Sequence, residues 1–317
     1  MKTLRPLVVI ADDFGIGPQT TRGIRELAAS GVLSGTVLMV NSPHAEEAVA
    51  AWRAAGRPVE LGWHPCLTMD EPVAPIDRVR SLVDGSGRMW PLGRFLSRLF
   101  LGLVRSDHLR VELQAQYDRF IDLTGQTPRV VNSHQHVALF GPVGALLRDV
   151  LRHQPIRPYI RRVREPIRTL FRVPGAWLKR AGLSTLGRIQ TRAQIRNGFP
   201  GAGWLAGITD PTWIKDPAFF ERWLNTISGS SVELMVHPGY LDETLIGRDC
   251  GVDGRLQRRV DELELLRRPA FLDACRAAKF EIVPLSQFLT ASQQKGSAGA
   301  SPSPSPTTSP GESSHAA

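Results

Sequence analysis

Cysteine is scarce in this 317-residue chain. Cys66, Cys250 and Cys275 make an odd set with no CxxC spacing. Neither a disulfide framework nor a cysteine zinc site is supported. Small, semi-buried thiols in a reducing compartment are the expectation instead. Long apolar runs are absent too. The nearest approach to the ~20 residues of a membrane span is Phe95 to Val104, which is short and carries Arg98. The opening MKTLRPLVVIADDFG has one brief apolar run closed by two aspartates. It reads as a first strand rather than a signal peptide. No internal repeat is found. Acids are nearly missing from residues 152–196, where eleven arginines and one lysine face Glu165 alone. That segment more than accounts for the net charge of +9, so the rest of the chain is near neutral. No nucleic-acid-binding motif accompanies it, so nucleic acid is not expected as a partner.

With 42% hydrophobic and 22% charged residues, the chain has an ordinary globular composition. Short β-rich runs alternate with helical stretches: PLVVIA (6–11), GTVLMV (35–40), VELGW (59–63), PRVVNS (128–133), VELMV (232–236) and FEIVPL (280–285). Apolar strands separated by amphipathic helices imply βαβ units and a parallel sheet. Residues 107–123 carry apolar side chains at helical spacing, with Gly125 as a stop. Residues 293–317 are rich in Ser and Pro and cannot offset their ordering entropy, so a disordered tail is expected. The folded part, 1–292, has the length of a single-domain (β/α) barrel.

The histidines and paired acids sit at strand ends. Asp12 and Asp13 follow PLVVIA, His64 follows VELGW, His134 and His136 follow PRVVNS, and His237 follows VELMV. In a parallel α/β fold those ends share one face. A catalytic divalent cation takes about three protein ligands and leaves a position open. Asp13, His64 and His134 supply O, N and N, a set that suits zinc and other first-row metals. Asp12 is then placed as a free carboxylate acting as general base, and His237 as the proton donor to a leaving group. His136, two residues from His134 on a regular strand, would point the same way and line the site or orient a ligand.

ADDFG (11–15), LMVNSP (38–43), LGWHPCLT (61–68), VNSHQHV (131–137), HPGYLDE (237–243) and RRVDELELL (258–266) resemble the YdjC-type carbohydrate deacetylases in the family's order. The resemblance spans about residues 4–289. It implies a distorted (β/α) barrel and removal of an N-acetyl group from an amino sugar with a divalent metal, zinc or magnesium. It implies Asp13, His64 and His134 as metal ligands, Asp12 as base and His237 as acid. Arg164, Glu165 and Asp242 are expected as substrate contacts or supports. Two departures stand out: Ala138 replaces a third histidine, and Pro65 follows His64 where many relatives carry an aliphatic residue.

VREPI (163–167) and the basic insertion after it resemble the family's hopanoid-biosynthesis branch, which implies a lipid-linked acetylated sugar. The insertion mixes Leu170, Phe171, Val173, Trp177 and Leu178 with Arg172, Lys179 and Arg180. That mixture fits peripheral contact with an anionic membrane. A solvated lid over the cleft fits equally well, and Pro174-Gly175 would interrupt a single long helix. A cytoplasmic chain, at most peripheral at the inner membrane, is expected. Competing readings are a phosphoesterase, a chitooligosaccharide deacetylase, and a non-catalytic binder of sugar-lipids.

Overall fold

The computed structural model describes residues 4–249 and 255–298. In chain order the elements are β1 (Arg5–Phe14), α1 (Pro18–Ala29), β2 (Gly35–Leu38), α2 (Ala45–Ala54), β3 (Glu60–Trp63), α3 (Leu92–Phe100), α4 (Ser106–Thr124), β4 (Val130–Val131) and α5 (Val143–Leu151). There follow β5 (Tyr159–Ile160), α6 (Ile167–Arg172), α7 (Trp177–Arg196), β6 (Trp204–Ala206), α8 (Phe219–Thr226), β7 (Val232–Val236), α9 (Arg255–Arg267), α10 (Pro269–Ala277), β8 (Phe280–Ile282) and α11 (Leu285–Ala298).

β1 to β8 pair with one another in parallel, in the order β5-β4-β3-β2-β1-β7-β6, with β8 joined to the start of β1. The outer strands are bridged rather than laddered. Ile160 N–H donates to the Pro200 carbonyl at 2.9 Å, and Leu205 N–H to the Arg164 carbonyl at 2.9 Å. The result is the expected distorted (β/α) barrel in one domain. β5 and β6 have two and three residues, too few for periodicity to reveal, and no such strand was expected from the sequence.

Leu7 to Ala11 are fully buried on both faces, as a parallel strand between helices and a barrel interior requires. Alternation still sorts the faces. Leu7, Val9 and Ala11 pack with the surrounding helices. Val8 and Ile10 turn inward with Val37, Val130 and Tyr159, where α11 plugs the bottom through Leu285, Phe288 and Leu289. One step further along these inward rows the side chains become polar: Asp12, His64, Asn132 and Arg161 are all buried, with Glu233 of β7 buried below them at the level of Val8. The site is thus the top layer of the barrel interior.

α4 ends as expected at Gly125, whose left-handed backbone (φ 71°) lets its N–H reach the Ile121 carbonyl. α11 runs six residues past the expected tail boundary, and residues 299–317 of that tail lie outside the described residues. Cys66 and Cys275 are buried free thiols, and Cys250 lies outside the described residues. Among the described residues no helix is long and apolar enough to cross a membrane.

α7 docks onto the segment after β5 at Gly187, where a Cβ would overlap the Val163 carbonyl. Gly187→Ala must therefore push α7 outward. We expect a loss of about 1–3 kcal/mol, the usual range for overpacking a tight contact, read as a lowered midpoint in urea unfolding.

Candidate metal and catalytic centre

Consecutive residues of a strand point to opposite faces, so Asp12 and Asp13 should not share a cleft. They do because β1 breaks between them and its partner: the register with β2 slips between Ala11 and Phe14, and Asp13 adopts a left-handed backbone (φ 64°). Asp12 completes the inward row of Val8 and Ile10, and Asp13 is turned into the mouth. The second strained segment follows β4. His134–Leu139 forms a 3₁₀ turn with left-handed Gln135 (φ 51°) and His136 (φ 56°). The regular strand expected through His134 and His136 is therefore absent. Strain of this kind, at about 1–3 kcal/mol per residue, persists where surroundings fix it and gathers at functional sites.

Asp13, His64 and His134 meet. One donor atom from each lies within 4.8 Å of the others, and all three residues are buried. Asp13 Oδ1 stands 3.2 Å from His64 Nε2 and 3.1 Å from His134 Nδ1. His64 turns its Nδ1 to the Asn132 carbonyl at 2.9 Å, which fixes Nε2 toward Asp13. His134 N–H donates to the Pro65 carbonyl at 3.0 Å, so the proline after His64 ties the two histidine segments together. His134 Nε2 is buried without a hydrogen-bond partner, and the Asp249 carboxylate lies 3.8 Å from it. An O, N, N donor set with one imidazole edge backed by a carbonyl and the other facing a carboxylate fits a divalent cation.

Charge is balanced by three arginines. Arg259 Nη2 donates to Asp13 at 2.7 Å and to Asp249 at 2.8 Å. Burial pushes the Asp13 carboxyl up, but the Arg259 charge outweighs it and holds the group well below the usual range. Arg161 donates twice to Asp12, at 2.5 and 2.8 Å, and through Nε to Glu233 at 2.5 Å. Asn132 Nδ2 adds a bond to Asp12 at 3.1 Å, and Tyr159 Oη donates to Glu233 at 2.7 Å. Burial would raise the Asp12 carboxyl, yet Arg161 holds it at about 2, whereas burial dominates at Glu233 and raises it. His237 Nε2 lies 3.8 Å from Asp12 Oδ2, its backbone N–H donates to Glu262 at 2.5 Å, and its ring Nδ1 stands 3.8 Å from the same carboxylate. Arg258 bridges Glu262 and the His237 ring.

These groups face an open cleft of about 520 Å³, within the range of small-ligand pockets. Asp12, Asp13, His64, His134, His136 and His237 all line it, and Leu92, Phe140, Leu183, Ile208 and Met235 form an apolar wall. Burial, reinforced by Arg161, depresses His136 to about 3, so it stays a neutral imidazole. Three expected residues lie elsewhere. Arg164 donates to the Gly203 carbonyl and stacks on Trp204. Glu165 is paired with buried Arg180 at 2.7 Å. Asp242 caps Thr244 and accepts from Gln19 N–H. Each is engaged in a local structural bond, and none of the three is among the residues that line the cleft. Sequence reasoning missed Arg161, Asn132, Asp249 and Arg258. Arg161 was hidden in an arginine-rich run, although it stands two residues after an inward Tyr159. For Asp249 the sequence carried no signal.

Removing Arg161 strands two buried carboxylates. Arg161→Met should cost about 3–5 kcal/mol, the usual loss when a buried pair is broken, measured by denaturant unfolding. The Asp12 contribution is present above the unfolded carboxylate range near about 3.9 and is lost as pH falls toward about 2. The variant should therefore lose less stability than the parent across that acid window.

Residues 6–277 match the family described as YdjC-like protein. A chitooligosaccharide deacetylase of Proteus mirabilis is 27% identical over 283 residues, covering 87% of this chain and 96% of the relative. One from Klebsiella pneumoniae is 26% identical over 250 residues, covering 77% and 85%. A solved structure from Enterococcus faecalis V583, described as a suspected cellobiose-phosphate cleavage protein, aligns with TM-score 0.70 at 21% identity over 90% of this chain and 99% of its own, which bears on the fold. The matched length, taken with the strand-end histidines and acids, means that this chain belongs to the YdjC-like protein family.

Proposed function

We propose that the chain is a metal-dependent carbohydrate N-deacetylase that hydrolyses the acetamide of an N-acetylglucosamine-type sugar. The carrying observation is the convergence of Asp13, His64 and His134 within bonding reach of one another, beside Asp12 and His237. The deacetylase names of the relatives support it. The resemblance of the VREPI segment and its insertion favours a hopanoid glycolipid as carrier, with a chitooligosaccharide as the second reading.

Asp13, His64 and His134 would hold the cation. Bound there, it supplies Lewis acidity that polarises the acetamide carbonyl and acidifies water. The chain's own groups do the rest. Asp12, kept ionised by Arg161, accepts the proton of the attacking water as its oxygen bonds to the carbonyl carbon. His237, its backbone held by Glu262 and its ring met at Nδ1 by Arg258, donates a proton to the nitrogen as the C–N bond breaks. Acetate and a free amine leave. The low basicity that Arg161 imposes on Asp12 is the cost of keeping it charged in a buried layer. Neutral His136 and the apolar wall border the space left for the sugar and its acetyl group. A two-metal phosphoesterase needs further free carboxylates. The donor cluster found among the described residues holds a single carboxylate, Asp13.

Acetate release from chitobiose and from an N-acetylglucosaminyl lipid, with and without chelator, tests the reading. Chelator should abolish release and added divalent metal restore it; release that ignores chelator would refute metal dependence. Asp12→Asn should retain bound metal yet lose about 10²–10⁴-fold in turnover, the range for a general base. His64→Ala should lower metal content by elemental analysis. Failure to release acetate from any acetylated sugar would favour the non-catalytic binder.

A further inference from the structure

The basic insertion is sorted by the fold into two populations. One is structural. Arg180 is fully buried, donates to Glu165 and to the Val173 and Thr169 carbonyls, and lies over the Trp223 ring at 4.6 Å. Thr169 and Val173 are buried with it. The other population is exposed among the described residues. The outer face of α6 presents Ile167, Arg168, Phe171 and Arg172, and the first turn of α7 presents Trp177 and Leu178. Phe171 is 83% exposed, Leu178 69% and Trp177 60%.

The platform beneath these side chains is fixed. Gly175 takes a left-handed backbone (φ 89°) so close to Thr209 and Trp213 that a Cβ would meet both. Ala176 N–H donates to Asp210 at 2.7 Å. Thr209 lines the catalytic cleft, as do Lys179 and Leu183 of α7. The exposed patch therefore sits at the lip of the cleft. A second exposed apolar group, Phe100, Leu101 and Leu103, follows α3 and reaches the same mouth, because Phe100 packs edge-on against the cleft-lining Phe140.

We propose that this lip docks on a lipid surface carrying anionic headgroups, bringing the cleft mouth to the bilayer. Charge complementarity selects the partner. From residue 166 to 209 the sequence contains no acid, while Arg168, Arg172, Arg188, Arg192 and Arg196 are exposed. A second copy of the same face would be repelled by its own sign. Aromatic and aliphatic side chains interleaved with arginine match the boundary between headgroups and acyl chains. A patch offered to nucleic acid would gain little from Ile167, Leu178 or Leu101. The inference deepens the deacetylase reading and rests on it for what the surface delivers: an acetylated sugar on a lipid carrier.

The test uses the full chain and vesicles of phosphatidylcholine with or without phosphatidylglycerol, followed by co-sedimentation. Binding should require phosphatidylglycerol and weaken in high salt. Phe171→Ser with Trp177→Ser and Leu178→Ser, and separately Arg168→Glu with Arg172→Glu, should each weaken it about tenfold or more. Acetate release from soluble chitobiose should be unchanged in both, which also reports that they fold. The proposal is overturned if the parent stays in the supernatant with phosphatidylglycerol vesicles, or if both variants bind as it does. It is equally overturned if velocity sedimentation shows a dimer that these variants dissolve, since the patch would then be a self-association face. Loss of the deacetylase reading would appear only in the acetate assay, so the two failures are separable.

Discussion

A guanidinium buried inside a barrel governs much of this molecule. Arg161 is held between Asp12 and Glu233, all three almost fully removed from water. Isolated buried charges are very costly, so the trio exists only because each member satisfies the others. The arrangement fixes the tilt of the Asp12 carboxylate, leaves it ionised, and ties β1, β5 and β7 together across the interior. β5, only two residues long, is held by this side-chain bond as much as by its ladder. Stability and chemistry thus share one set of contacts.

The same logic explains why the donor cluster lies where strands break. A regular β1 would send Asp13 among the helices, and a regular strand at 134–136 would leave no turn to bring the two histidines beside one another. Left-handed backbone at Asp13, Gln135 and His136 supplies the missing rotation. None of the three is glycine, so the conformation is unfavourable locally and must be imposed. Arg259 pulls on the Asp13 carboxylate from one side, and His64 and His134 face it from the other.

Much of this was legible beforehand because parallel strands buried on both faces read as continuous apolar runs, and PLVVIA, VELGW and VELMV each stop at an acid or histidine that lines the cleft. The order of elements and the convergence of Asp12, Asp13, His64, His134, His136 and His237 follow from that. Arginine defeated the reading. Arg161, Arg164 and Arg180 stand in one run, and sequence cannot tell which meets a buried acid, which stacks on an indole and which meets a substrate. Only the inward parity of β5, a strand too short to detect, separates Arg161 from Arg164. Glu165 and Asp242 raise the same ambiguity: an acid beside a motif is as readily a structural partner as a functional one, and both make structural bonds here.

The insertion carries this argument to the surface. Its charge looked like a single property, and the fold divides it. Arg161 and Arg180 face inward and neutralise acids, so they contribute little to the external field. The arginines left outside flank aromatic side chains at the mouth of the cleft. A lid meant to cover that mouth would turn Phe171, Trp177 and Leu178 toward the apolar wall of Leu92, Phe140 and Ile208, where their burial would be favourable. They instead point to solvent from a clamped turn. That outward orientation is what the proposed docking on a lipid surface draws on.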